Sequence, residues 1–234
     1  PRGTRIQVKF KSALLTQVSG SVGGATFARN QGGLYIRARS VPTNPASAFQ
    51  VAVRNNLATL TNRWTQTLTV AQRGGWATYA QNVPLTGPLG DARPIGALAM
   101  YVRCNVPRLQ AGLAVQDTFP SVFTLGTFTL GAVSAVAATQ LISLNFTATD
   151  LWAVAVGGAL LLYVSRPQSV GINFFKGPYR YAGRVNGAVV PPVSPQTVGV
   201  PFPFVNAQRL FYYAQATFPD GRLTAQTRGS ILTT

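Results

Sequence analysis

The sequence predicts an α+β protein in three parts. These are an N-terminal β ribbon or arm over residues 1–43, a helical hairpin plus a third helix over 44–115, and a C-terminal β sandwich over 116–234. Three patterns predict it: polar–apolar alternation before residue 40, a helix-spaced apolar stripe after residue 44, and a return to period two with frequent Gly and Pro after residue 116.

The arm comes first. From Thr4 to Phe10, Ile6, Val8 and Phe10 share one face and Arg5, Gln7 and Lys9 the other. Ser19-Gly20-Ser21 and Gly23-Gly24 are turn or bulge signals. Ala25 to Arg29 reads as a strand, Asn30-Gln31-Gly32-Gly33 as a hairpin turn, and Leu34 to Arg39 as the returning strand. Arg2, Arg5, Lys9, Lys11, Arg29, Arg37 and Arg39 make the first forty residues basic with no acid among them, and the hairpin is expected to project Arg29, Arg37 and Arg39 together. Such an arm can add a strand to a neighbour's sheet edge or lie on phosphates. Phe27 and Tyr35 beside Arg29 and Arg37 would suit single-stranded nucleic acid.

Asn44-Pro45 opens the helical part, with Asn44 as N-cap and Pro45 at the first helical position. Phe49, Val53, Leu57, Leu60 and Trp64 step by four, four, three and four, one core-facing stripe, with Arg54 and Arg63 on other faces. Thr69 and Gln72 form a capping box for a second, shorter helix bearing Trp76 and Tyr79. Gly74-Gly75 weakens that helix by about 1 kcal/mol per Gly. The two helices form a hairpin turning near Gln66 to Leu68, with Trp64 and Trp76 facing each other and the Arg side chains outside. After the breaker-rich loop Val83 to Gly90, Pro94 starts a third helix with Ile95, Leu98, Ala99, Val102 and Val106 on its face, kinked or interrupted by Pro107.

Asn-Pro, a helix ending in Trp64, the run Leu68-Thr69…Gln72-Arg73…Trp76…Tyr79-Ala80, and the later Tyr101-Val102-Arg103-Cys104-Asn105-Val106-Pro107-Arg108-Leu109 resemble a family of small, mostly uncharacterised structural (virion-associated) proteins of tailed bacteriophages and phage-like elements. That family has an N-terminal Gly-rich β segment, matched here by Ser19 to Arg29. The likeness covers roughly the first half of the chain. It implies a place in a virion, not a catalytic role.

Leu113 to Pro120 reads as a linker. Candidate strands follow at Phe123–Leu130, Gln140–Ala148, Ala153–Val156, Ala159–Ser165, Tyr179–Asn186, Gln196–Val200, Gln208–Phe218 and Ala225–Ser230, with Asp220-Gly221 as a hairpin turn. About seven short strands predict an immunoglobulin/fibronectin-like β sandwich. Phe174, Phe175, Tyr179 and Arg180 belong to an aromatic–basic cluster at one end of it, read as a subunit contact.

Charge sets the partner class. Twenty Lys and Arg oppose four acids, all Asp, for a net +16, and most of the excess lies before residue 116. Either nucleic acid or an acidic or subunit-contact surface suits so many guanidinium groups. The chemistry that is missing is as informative. There is no His and no Glu, and the Asp residues are scattered, which leaves no general base of the common kind and no carboxylate pair. One Cys, Cys104, forbids an internal disulfide and, without His, a Cys–His nucleophile or zinc site; it is expected as a buried inert thiol. Neither Gly-rich stretch is followed by the Lys and helix of a phosphate-binding loop. No enzyme activity and no cofactor are expected.

No signal peptide is recognised, the apolar run Leu151 to Val164 is short for a membrane span, and the Pro1 start fits removal of an initiator Met after cytosolic synthesis. The expectation is a structural protein of a bacteriophage-like virion, made in the host cytoplasm. Its partners would be copies of itself, other virion proteins or packaged nucleic acid, with no membrane. Two alternatives are a nucleic-acid-binding protein and a surface- or receptor-binding module of a tail.

Overall fold

The computed structural model describes residues 7–9, 19–30, 33–39, 44–86 and 90–234. The chain divides into two compact units, Pro1–Ala48 and Phe49–Thr234. The helices and the sandwich, expected as separate domains meeting at residue 115, lie in the same unit.

In the first unit, β1 (Gln7–Lys9), β2 (Gly20–Val22), β3 (Ala25–Asn30) and β4 (Gly33–Ala38) form an antiparallel sheet in the order β1-β4-β3-β2. The hairpin expected between β3 and β4 is present, with Asn30 paired to Gly33. The register places Arg29 opposite Leu34 and Arg37 opposite Thr26. Side chains alternate across a strand, so Arg29 lies on one face of the ribbon and Arg37 and Arg39 on the other. The three do not project together, and the same alternation separates Phe27 from Tyr35. Arg29, Arg37 and Arg39 are exposed. Lys9 pairs with Tyr35 in the backbone register. Arg2, Arg5 and Lys11 lie outside the described residues.

The helical elements are α1 (Ala48–Gln66), α2 (Val70–Asn82) and α3 (Ala97–Gln110), with a two-strand clip, β5 (Leu85–Thr86) and β6 (Ala92–Arg93), before α3. Asn44 does not cap α1. Its side chain accepts from the Ala46 N–H at 3.2 Å within a turn where Ala46 has φ 45°, and the helix begins at Ala48. The capping box on α2 is present as expected: Thr69 Oγ1 accepts from the Gln72 N–H and Gln72 Oε1 accepts from the Thr69 N–H.

Only the C-terminal end of the α1 stripe joins the core. Leu60 is buried and Trp64 half-buried, while Phe49, Val53 and Leu57 are each about half exposed. Trp64 and Trp76 do not face each other. Both pack on Tyr101 of α3, each with its ring centroid 5.4 Å away. The buried face of α3 is Met100, Tyr101, Cys104, Asn105, Pro107 and Arg108, not the aliphatic row expected; Leu98 is exposed. Pro107 does not break the helix, which runs on to Gln110.

Leu113 to Pro120 is not a free linker. The Arg63 guanidinium grips Asp117, with Nε 2.7 Å from Oδ1 and Nη2 2.6 Å from Oδ2, and the Tyr101 hydroxyl donates to Oδ1 at 2.9 Å. Trp76 Nε1 donates to the Asp117 carbonyl at 2.9 Å, and Asn105 exchanges two hydrogen bonds with the Gln116 backbone. These helix side chains give the extended segment the backbone partners a sheet would otherwise supply. For the same reason the expected strand Phe123–Leu130 is absent over residues 123–129, strand structure starting only at Leu130: the Thr124 carbonyl accepts from Tyr79, and Leu125 packs on the helical core.

Seven strands then form two antiparallel sheets. β10 (Arg180–Asn186), β9 (Ala159–Val164), β12 (Arg209–Thr217) and β13 (Thr227–Leu232) lie in that order, as do β11 (Gln196–Gly199), β8 (Leu141–Phe146) and β7 (Leu130–Val136). One core joins them, with Ile142, Leu144 and Phe146 from the smaller sheet against Leu160, Leu162, Val164, Leu210 and Ala214 from the larger. Ala153–Val156 forms turns, not a strand, and Trp152 folds inward against Phe146. The Asp220-Gly221 turn is present, with Gly221 at φ +91°.

Arg108 ties α3 to the larger sheet. Its side chain is buried and donates to the carbonyls of Ala114 at 2.8 Å, Phe218 at 2.8 Å and Gly157 at 3.3 Å, and to Thr217 Oγ1 at 3.1 Å. Burial lowers its pKa from the usual guanidinium value.

Candidate functional site

β9 is buried along its whole length, so both of its faces are covered. One face looks into the sandwich. The other, bearing Ala159, Leu161 and Tyr163, meets Ala111 and Leu113 after α3 and the rings of Tyr179, Tyr181 and Tyr213. Tyr163 and Tyr213 lie on paired positions of adjacent strands, and their rings stack at 4.5 Å with 10° between planes. Tyr179 meets Tyr213 edge-on at 5.1 Å, Tyr181 meets Tyr163 edge-on at 5.5 Å, and Phe175 stacks on Phe211 at 5.5 Å. The result is an aromatic outer layer, a form of cross-strand stabilisation.

Between this layer and helices α1 and α3 lies an open cleft of about 740 Å³. Phe49, Ala52, Val53 and Asn56 line it from α1; Val102, Arg103, Val106 and Gln110 from α3; Tyr163, Tyr179, Arg180, Tyr213 and Gln215 from the sheet side. Phe49 and Val53, two of the half-exposed residues of the α1 stripe, therefore stand in one wall of a cavity, of a size that suits a bound segment or small ligand. Arg180 reaches across it, its guanidinium carbon 4.9 Å from the centroid of the Phe49 ring. Arg103 donates to the Leu223 carbonyl at 3.4 Å. No carboxylate is among the lining residues, so the charged lining is all guanidinium.

Burial raises the Tyr163 hydroxyl well above its ordinary value and pushes Tyr213 up to about 12. Tyr163 donates to Gln110 Oε1 at 2.8 Å, and Tyr179 to the Phe175 carbonyl at 3.2 Å. Arg184, on the same outer face, holds a buried Nη1 with no hydrogen-bond partner; it lies near Gly112, just after the end of α3, where a helix dipole favours a cation.

Of the residues singled out from sequence, the structure brings Phe49, Val53, Tyr179 and Arg180 into this cleft. Phe174 points away and is largely exposed, while Phe175 packs on Phe211. Arg63 is paired with Asp117 through Nε and Nη2, and its side chain stays 40 % exposed. Arg54 is exposed on α1. Leu57 and Trp64 do not line the cleft, and Leu60 and Trp76 are core. Val102 and Val106, expected only as the apolar face of the third helix, line the cleft too, while Tyr163 and Tyr213 were singled out by no sequence pattern. The apolar run Ala159 to Val164 was the available signal, since a strand apolar on both faces needs a second covering layer.

Among the described residues no group of three or more His, Cys, Asp or Glu could hold a metal ion, and no helix is long and apolar enough to cross a membrane.

No family model matches the chain, and no curated protein matches it.

Proposed function

We propose that this chain is a structural protein of a bacteriophage-like virion that works through contacts between subunits. The observation that carries the reading is the uncovered half of α1, where Phe49, Val53 and Leu57 are each about half exposed on a stripe with core spacing. Exposed Phe174, Val189, Val190 and Val193 in the sandwich loops add to it. A free subunit leaves these side chains in water; an assembly buries them. The residue inventory supports the same reading, since it lacks His and Glu altogether. The three-plus-four arrangement, with β10 beside β9 in the larger sheet, is of the immunoglobulin/fibronectin-like kind, a frequent carrier of contact surfaces on its loops. Size-exclusion chromatography with light scattering at physiological salt tests the proposal: defined oligomers support it, and a stable monomer at every concentration refutes it.

Exposed Arg37 and Arg39 on one ribbon face favour a second reading, contact of the basic arm with nucleic acid. A filter-binding titration at two salt concentrations separates them. Binding that weakens steeply with salt, with a log–log slope of about 0.9 per phosphate contacted, supports nucleic-acid contact. Absent binding leaves assembly alone.

A further inference from the structure

The loop between β10 and β11 runs Gly187-Ala188-Val189-Val190-Pro191-Pro192-Val193-Ser194-Pro195 and carries no charge. Its three valines are among the most exposed apolar side chains described: Val189 is 80 %, Val190 81 % and Val193 76 % exposed. The base of the loop is fixed. Ser194 Oγ accepts from the Phe146 N–H at 3.0 Å, and Gln196 Nε2 donates to the Val193 carbonyl at 2.9 Å. Pro191 and Pro192 stiffen the span between, so less freedom is lost when the loop is held.

We propose that this valine–proline loop docks into the aromatic cleft of a second copy of the chain. The inference rests on the assembly reading and names its contact. Three complementarities carry it. First, the cleft walls are apolar and aromatic, and aromatic-lined grooves accept proline-containing segments whose shape is already set. Second, the hydrogen-bonding groups match. Arg103 and Arg180 only donate, while a proline offers a carbonyl and no N–H, so a Pro-Pro segment brings a surplus of acceptors. Third, the electrostatics permit approach. A subunit of net charge +16 repels its copies, and a projecting loop with no cation can enter a cleft lined by two arginines where a basic surface cannot.

Loop and cleft are different surfaces, so the contact is head-to-tail. Each contact leaves one free cleft on the copy that gave its loop and one free loop on the other, which closes a ring or extends a chain. It also gives a mixing test. Val190→Asp removes the loop's apolar tip, and Val53→Asp puts a charge on the cleft wall; both positions are exposed enough to leave the fold intact, which near-ultraviolet circular dichroism checks. Val70→Asp, on an exposed position of α2 outside both surfaces, is the control. In sedimentation velocity, wild type and Val70→Asp are expected to form oligomers. Val190→Asp and Val53→Asp are each expected to remain monomeric, with self-association weakened on the order of 100-fold. A mixture of those two variants retains one intact loop and one intact cleft and is expected to stop at a 1:1 dimer.

Oligomers of Val190→Asp like those of wild type overturn this contact and leave the assembly reading standing. Equal loss in all three Asp variants, or no dimer in the mixture, also overturns it. A monomeric wild type overturns both.

Discussion

Gly74 and Gly75 are neighbours in α2 with opposite roles. A Cβ on Gly75 would overlap the ring of Phe119, whereas one on Gly74 would meet nothing within 4 Å. Gly74→Ala is expected to raise the unfolding free energy by about 0.5–1 kcal/mol through helix propensity. Gly75→Ala is expected to lower it by about 1–3 kcal/mol through overpacking. Urea midpoints at constant slope measure both. Sequence alone gave the two glycines the same penalty, because what lies over Gly75 comes from 44 residues along the chain. Cys104 is a second residue-scale probe. It is fully buried, and burial pushes its thiol up to about 11. Alkylation at pH 8 is therefore expected to be slow in the native chain and fast in denaturant, followed by mass spectrometry. Rapid native labelling would mean that α3 opens without global unfolding.

At the scale of elements, two side chains decide how the helices and sheets are joined. Asp117 is held below the usual carboxylate range, chiefly by the Arg63 hydrogen bonds and further by the Tyr101 hydroxyl. A depressed folded-state pKa adds stability that is present above the unfolded value, near ~4, and is lost as pH falls through the folded value. Stability is thus expected to be flat from neutral pH down to about 5 and to decline below about 4. Asp117→Asn removes part of that decline and costs about 1–3 kcal/mol at neutral pH, because Arg63 and Tyr101 lose a charged acceptor. Thermal melts from pH 3 to 7, roughly the range of carboxylate titration, test both statements. Arg108→Met is expected to cost about 3 kcal/mol, from carbonyls left without a donor less the relief of not burying a charge. The local signals among these elements were legible: the Thr69–Gln72 box, the Asp220-Gly221 turn and the alternation in β8 are complete within a few residues. The buried face of α3 was not. Asn105 and Arg108 look like surface residues until the backbone of 114–116, Gly157 and Phe218 supplies their partners, and those partners are tertiary. The α1 stripe misled in the opposite sense, since its spacing says that Phe49, Val53 and Leu57 want covering but not whether this chain provides the cover.

For the whole molecule, two features stand together: a charge of +16 and apolar side chains left in water. Like charge keeps free copies apart, so association through apolar contacts is expected to strengthen with ionic strength as repulsion is screened within about 8–10 Å. A contact made by basic residues on a polyanion weakens under the same change. The cleft was only half legible in the sequence. Tyr179 and Arg180 stood out as a cluster, and Phe49 and Val53 as a stripe, but that they line one cavity follows from how α1, α3 and the sheet pack, which no local pattern carries. The measurement that bears most directly on the assembly reading is light scattering on the purified wild-type chain across concentration, at about 0.05 M and about 0.5 M salt without nucleic acid. The expected result is a mass well above one chain that grows with concentration and with salt. A mass of one chain under every condition would contradict it.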